Sequence, residues 1–392
     1  MVYTCPYKAT TDVKGAFMYI FDDKILSNIS NIKDIIFFAE TEAVTDNIVT
    51  EYFANKIITD YNAYTSVASK GITVGDCLKK LVISDIKMIL EAALQLRSLQ
   101  NYVPSRKQSY PCVDYCKSMQ SVCASKDEND LYEALTKHLN SFGLGHNGRY
   151  LAYVWQDGLK GVTSHDISSL DSLYCIDRQK KVLTDNTEAF LNGKGANNVL
   201  LYGNSGCGKS TSVKALLNKY HKDGLRLVQL DKEQIPSLPS LIRTLSGMPF
   251  KYIIFIDDLS FEENDGDYKP LKTALEGRVE GQADNVLFYA TSNRFHIINE
   301  TWAERKGDDI HASDTRNERM SLSERFGIRI HFISPSQVDY LKIVENILKE
   351  NGVEVNDSIR NEALKWEVYY NGKSGRTASQ FVRAYLSGNL EK

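Results

Sequence analysis

Gly203-Asn204-Ser205-Gly206-Cys207-Gly208-Lys209-Ser210 stands between the apolar run Val199-Leu200-Leu201-Tyr202 and a helix-like stretch over 211–220. The octet fits G-x-x-x-x-G-K-[ST] in full, with a strand before it and a helix after it, the context in which the pattern has a physical meaning. A phosphate group needs several donors pointing inward at once. Glycines let the backbone wrap so that its N–H groups and the N-terminus of the next helix meet on the anion. Gly203, Asn204, Ser205, Gly206, Cys207 and Gly208, with Lys209, Ser210 and Thr211 behind them, are therefore the candidate phosphate-binding residues. Lys209 is read as a solvent-facing ligand of the outer phosphates, and the Ser210 hydroxyl as a ligand of Mg²⁺.

Working outward, Tyr252-Ile253-Ile254-Phe255-Ile256 leads into Asp257-Asp258, 48 residues beyond Lys209. A central parallel strand here would deliver both carboxylates to its C-terminal edge, beside the phosphates. Asp257 then holds the metal, directly or through water, and Asp258 orients or deprotonates an attacking water. The plain alternative is an acidic turn after a core strand. A further apolar run, 286–291, continues into Ser292-Asn293, so a polar amide arrives at another strand tip. Asn293 alone would be an ordinary strand-end residue; in this series it is a candidate to bond the terminal phosphate or the water.

From residue 198 onward, short Val-, Ile- and Phe-rich runs alternate with amphipathic stretches, the mark of a parallel sheet covered by helices. Strands are expected at 198–202, 226–230, 252–257, 286–291 and 328–332, a five-stranded parallel α/β core. Helices at 336–351, 357–369 and 377–386 make a small C-terminal helical domain. Before residue 170 the apolar residues recur at three and four positions over 46–62, 73–99 and 128–139, so this part is mostly helical. Its exception is 149–155, an aromatic and β-branched run that reads as a strand entering the next domain.

Composition excludes several classes. The 392 residues are 42% hydrophobic and 25% charged with a formal net charge of −3, an ordinary globular balance without charge blocks. The longest apolar run, 252–256, is far short of a membrane span, and 1–21 lacks an apolar signal core, so a cytoplasmic protein with no membrane partner is expected. Charge leaves a nucleic-acid partner open. Seven irregularly spaced cysteines suit reduced thiols. Cys112, Cys116 and Cys123 fall on one helix face, which favours a buried apolar stripe over a metal site.

The succession of phosphate loop, Asp257-Asp258, Ala290-Thr291-Ser292-Asn293, Ser323-Glu324-Arg325-Phe326-Gly327 and Gly375-Arg376 resembles an AAA+ P-loop ATPase over about residues 170–390. Within that superfamily the chain resembles a bacterial group known as domain of unknown function number 815. The blocks that carry this are Cys175-Ile176-Asp177-Arg178-Gln179, 197–203, Asp257-Asp258-Leu259-Ser260-Phe261, 271–277, 321–327 and Gly375-Arg376-Thr377-Ala378-Ser379-Gln380-Phe381. The resemblance implies ATP with Mg²⁺, a mostly helical accessory domain at 1–170, an AAA+ core at 171–334 and a helical lid at 335–392. It implies Arg325 as the arginine finger of a homo-oligomer, reaching the γ-phosphate held by a neighbouring subunit, with Arg316 and Arg319 as substitutes. Arg376 would be the lid arginine, touching nucleotide in its own subunit, and Tyr174 and Ile176 would lie near the adenine. Asp258 stands where many AAA+ motors carry Glu, which points to slow, switch-like hydrolysis, with Glu262 and Glu263 as other acids for the water. The implied activity is ATP hydrolysis coupled to remodelling or loading a macromolecule chosen by the N-terminal domain. The other readings are a P-loop phosphotransferase acting on a small acceptor and a nucleotide-gated binding module with little hydrolysis.

Overall fold

The structure, a computed structural model, describes residues 20–21, 32–99, 102–261, 268–276, 283–294, 322–370 and 372–388. It divides into two compact units, Met1–Arg149 and Tyr150–Lys392.

The first unit is helical: α1 (Ile32–Thr41), α2 (Ile48–Thr59), α3 (Ala63–Ala68), α4 (Asp76–Ala93), α5 (Val113–Cys123) and α6 (Glu128–Phe142). The side chains of Asn47, Asn62 and Asp127 cap α2, α3 and α6, accepting from the first free N–H groups. The periodicity over 73–99 resolves into α4 followed by a 3₁₀ stretch, Leu94–Leu99. Cys112 is the residue that precedes α5; it and Cys123 are buried while Cys116 is half-buried, and all three are free thiols.

The core of this unit is aromatic and contains a buried cation, Arg149. Arg149 donates to Glu42 at 3.0 Å and to Asn55 Oδ1 at 3.4 Å, with its guanidinium 4.5 Å from the centre of the Tyr110 ring. Two histidines lie in the same interior. His138 Nδ1 is 2.9 Å from Ser118 Oγ, while its Nε2 and the Nδ1 of His146 are buried without a hydrogen-bond partner. Burial, with the Arg149 charge added, pushes His138 down to about 3 and His146 down to about 4.

The second unit is built on one seven-stranded sheet: β1 (Ala152–Trp155), β2 (Leu159–Val162), β3 (Val199–Gly203), β4 (Leu225–Gln229), β5 (Lys251–Ile256), β6 (Val286–Ser292) and β7 (Ile328–Phe332). Its order is β2-β1-β4-β5-β6-β3-β7, antiparallel only between β1 and β2. The expected five strands are all there, each within a residue or two of its expected ends. Among the described residues the expected count is corrected to seven, because β1, the strand expected at 149–155, joins the β4 edge and pairs with β2 as a hairpin. The reason β2 leaves little trace in sequence is that an edge strand is half solvated: Leu159-Lys160-Gly161-Val162 is exposed or half-buried throughout. β3 and β5, covered on both faces, read as unbroken apolar runs.

The helices of this unit are α7 (Asp177–Leu191), α8 (Lys209–Tyr220), α9 (Leu238–Ser246), α10 (Tyr268–Glu276) and, beyond the sheet, α11 (Gln337–Glu350), α12 (Asp357–Tyr369) and α13 (Gly375–Leu386). The last three pack around Tyr340, Leu348, Ile359 and Phe381, a small core of their own within the unit. No helix among the described residues is long and apolar enough to cross a membrane.

Topology decides where chemistry can occur. The chain leaves β3, crosses to β4 and returns through β5 and β6, while β7 adds on the other side of β3. That reversal opens a crevice at the C-terminal ends of the central strands. The register Ile256↔Ala290, Tyr202↔Ser292 and Gly203↔Phe332 brings the phosphate loop, Asp257 and Asn293 to this single edge.

The buried histidines make the helical unit sensitive to acid. Their folded values lie below the roughly 6.5 of an unfolded histidine, so unfolding takes up protons. Stability is full above about pH 6.5 and falls as pH drops towards 4. Thermal unfolding followed between pH 7 and 5 should show this decline, and His138→Phe, which keeps the ring but cannot protonate, should flatten it.

Candidate functional site

The loop after β3 needs its glycines for stated reasons. Gly203 has φ +130°, and a Cβ there would stand 2.0 Å from the Phe332 carbonyl oxygen of β7. Gly206 and Gly208 lie at φ +76° and +91°, where side chains are strained, so the chain can turn tightly into α8. The result is a cradle at a helix N-terminus, the geometry that receives an anion.

Lys209 corrects one expectation. It is not solvent-facing: only 7% of it is exposed, and its ammonium donates to the carbonyls of Gly203 at 2.7 Å and Asn204 at 2.9 Å and to Asn293 Oδ1 at 3.0 Å. The oxygens of the loop pull the side chain under it. Burial pushes the Lys209 pKa down, Cys207, Asp258 and Asp257 push it back up, and Arg376 lowers it as a like charge.

The acids and the amide form a connected network. Asn293 Nδ2 donates to Asp258 Oδ1 at 2.8 Å, so this one side chain joins the lysine to the second acid. Ser210 Oγ donates to Asp257 Oδ1 at 2.6 Å, and Thr291 Oγ1 reaches the same oxygen at 2.5 Å while accepting from the Asp258 N–H at 2.9 Å. Asp258 has φ +52°, a left-handed backbone that Asp tolerates better than most residues. Thr291 holds that turn and so aims the carboxylate at Asn293. Thr291 stands in the quoted motif without a role of its own; a hydroxyl two positions before a functional strand tip, on the same face, is the available signal.

These groups line a cavity of about 730 Å³, within the usual range for a small-molecule site. Of the expected residues, Ser205, Gly206, Cys207, Gly208, Lys209, Ser210, Thr211, Asp257, Asp258, Asn293, Arg376, Tyr174 and Ile176 line it. Gly203 and Asn204 do not; they serve through their carbonyls, and Asn204 also donates to Ser334 Oγ at 2.7 Å. Arg325 is exposed after a short turn and is not part of the lining. Arg316, Arg319, Glu262 and Glu263 lie outside the described residues.

The linker into α7 and the C-terminal helices α11 and α13 wall the cavity. Leu173 and Ile176 approach Gly208, whereas the Tyr174 ring packs on the lid core and its hydroxyl donates to Glu350 at the end of α11. The Arg376 N–H donates to the Gly206 carbonyl at 3.3 Å, joining α13 to the phosphate loop. Ile333, Asp339, Ile343, Ile347, Gln380 and Arg383, none of them marked as a site residue by the sequence pattern, also line the cavity. Asp339, Ile343 and Ile347 lie on α11 and Gln380 and Arg383 on α13, at spacings of three and four that follow the helical period, while Ile333 follows the end of β7.

The donor set fits Mg²⁺ in kind, since a hydroxyl and a carboxylate already meet at Ser210 and Asp257, and hard oxygen ligands suit that ion. No cluster of three or more His, Cys, Asp or Glu positioned to hold a metal occurs among the described residues.

No curated protein matches the chain. Among solved structures it is similar to the Thermotoga maritima RuvB Holliday junction branch migration motor, 14% identical, over 55% of this chain and 71% of that one with a TM-score of 0.34. It is also similar to the Aeropyrum pernix ORC1 protein in complex with DNA, 13% identical, over 58% of this chain and 63% of that one with a TM-score of 0.42. The sheet, the phosphate loop between β3 and α8 and the acids after β5 all lie inside residues 148–389, the stretch matched by the family described as Protein of unknown function (DUF815), and the chain belongs to that family.

Proposed function

We propose that this chain binds ATP with Mg²⁺ in the cavity above β3 and hydrolyses it as an AAA+ ATPase, coupling the cycle to remodelling or loading of a macromolecule. The observation that carries this reading is the pair of hydrogen bonds made by Asn293, whose Oδ1 accepts from Lys209 while its Nδ2 donates to Asp258. A phosphate anion entering the cradle competes with the Gly203 and Asn204 carbonyls for the lysine. Asn293 transmits that change to the carboxylate that handles water. Phosphate binding and the readiness of Asp258 are thus coupled by one side chain.

In this reading Ser210 and Asp257 hold the magnesium ion, which when bound neutralises charge on the transferred phosphoryl group. Asp258 orients and deprotonates the water, and Arg376 approaches the outer phosphates from the lid. Arg325, exposed and outside the lining, serves a neighbouring copy as a finger, which makes the working form a homo-oligomer. The proposed division is an accessory part at 1–170 that selects the partner, a core at 171–334 and a lid at 335–392, with β1 and β2 of the first part extending the core sheet.

One observation favours a second reading, a nucleotide-gated module that turns over slowly. Asp258 is a methylene shorter than Glu, and its Oδ1 is already engaged by Asn293. A phosphotransferase has less support, because no acceptor-binding constellation stands beside the cradle among the described residues. Phosphate release measured with and without small acceptors separates transfer from hydrolysis.

Lys209→Ala should weaken ATP binding by at least about a hundredfold in calorimetry, since phosphate loses a charge-assisted partner worth about 3 kcal/mol. Melting should fall only modestly, because the loop carbonyls it leaves can turn to water. Unchanged affinity would remove the cradle assignment. Asp258→Asn should still fold, as Asn accepts φ +52° readily, and should bind ATP while losing turnover by about a hundredfold or more. Arg325→Ala should keep ATP affinity yet lose about a thousandfold in turnover. Mixing it with Lys209→Ala protein should then restore part of the activity at shared interfaces. No recovery at any ratio would place Arg325 outside catalysis in trans.

A further inference from the structure

The lid helix α13 has two faces of different chemistry. Thr377, Ala378, Phe381 and Val382 are buried. Arg376, Ser379, Gln380 and Arg383 line the cavity, and their spacing of three and four puts them on one stripe. Ser379 turns its hydroxyl back to the Gly375 carbonyl at 2.9 Å, which leaves Arg376, Gln380 and Arg383 as the long polar side chains of the stripe. Among the described residues, no hydrogen bond or ion pair engages the Arg383 guanidinium. Arg360 on the neighbouring helix differs, pairing with Glu345 at 2.8 Å and Asp357 at 2.9 Å.

Position along the helix gives Arg383 its meaning. The Arg376 N–H bonds the Gly206 carbonyl, so the start of α13 stands at the anion cradle. Seven residues at a rise of about 1.5 Å each carry the stripe about 10 Å further, beyond the reach of the phosphates that Lys209 and Arg376 serve. The same cavity has an apolar wall of Ile333, Ile343, Ile347 and Tyr174, none of which belongs to the phosphate loop. An apolar wall with a planar, weakly hydrated cation beside it suits the face of an aromatic base, since guanidinium stacks where ammonium does not.

Resting on the ATP reading above, we propose that Arg383 is a specificity-determining residue that lies over the base of the bound nucleotide, so that α13 grips the ligand at both ends, Arg376 at the phosphates and Arg383 at the nucleoside. The lid then closes only on a ligand long enough to reach both arginines. An inorganic anion fills the cradle and leaves Arg383 idle.

The test is calorimetry on the full chain with Mg²⁺, using ATP and inorganic triphosphate as probes. Arg383→Ala should weaken ATP binding about tenfold and leave triphosphate binding unchanged, whereas Arg376→Ala should weaken both. Arg383→Lys should behave nearly as Arg383→Ala, because it keeps charge and loses the plane. Thermal unfolding verifies that each variant folds, and exposed Arg383 should tolerate both changes. Equal loss for ATP and triphosphate would make Arg383 a phosphate ligand and overturn the proposal, as would no loss for ATP or full rescue by Lys. If the unaltered protein binds triphosphate as tightly as ATP, the nucleoside grip fails while the cradle stands. If it binds neither, the nucleotide reading itself fails.

Discussion

A positive charge held out of water organises the second unit. Lys209 is 7% exposed, and its ammonium is surrounded by oxygens from the end of β3, from the loop after it and from the tip of β6. Such a charge is tolerated in an interior only when its donors are met, so the loop must wrap and β6 must end beside β3. Gly203, Gly206 and Gly208 supply the backbone freedom for the wrap, and the parallel pairing of β3 with β6 supplies the amide. Arg376 brings a second cation near the first, and the cradle is left with more positive charge than its carbonyls alone can satisfy.

The acids answer that charge indirectly. Asp257 is held by Ser210 and Thr291, and Asp258, whose backbone is left-handed, by Asn293. Thr291 and Asn293, on alternate positions of one strand end, are the framework on which both acids rest. A change in what the lysine contacts therefore has a short mechanical route to Asp258. The lid adds a second route through the Arg376 N–H on Gly206, and the linker a third, where Leu173 and Ile176 face the loop while Tyr174 is tied to Glu350.

The helical unit follows other rules. Its buried polar groups, Arg149 with Glu42 and Asn55, and Glu51 accepting from the N–H groups of Val44 and Thr45 at 2.9 Å, fasten loops to helices. Burial pushes the Cys123 thiol up to about 12, which makes it inert packing material. Specificity for one packing, with an acid sensitivity that comes from His138 and His146, is what this arrangement yields.

Much of the core was legible in sequence because its signals are local. The octet at 203–210 carries its own geometry, the runs at 199–202 and 252–256 are apolar on both faces because both faces are covered, and the helices of 337–386 repeat at the helical period. What stayed hidden depended on contacts distant along the chain. Strand β2, at the sheet edge and half solvated, carries no apolar run, so only its pairing with β1 reveals it, whereas β1 itself is legible as the aromatic run at 149–155. The burial of Lys209, the bracing of Asp258 by Thr291 and the reach of Arg383 into the cavity arise where strand ends and a lid helix converge. Local periodicity records which face of an element is apolar, but not which other element that face will meet, and the tertiary structure alone decided that.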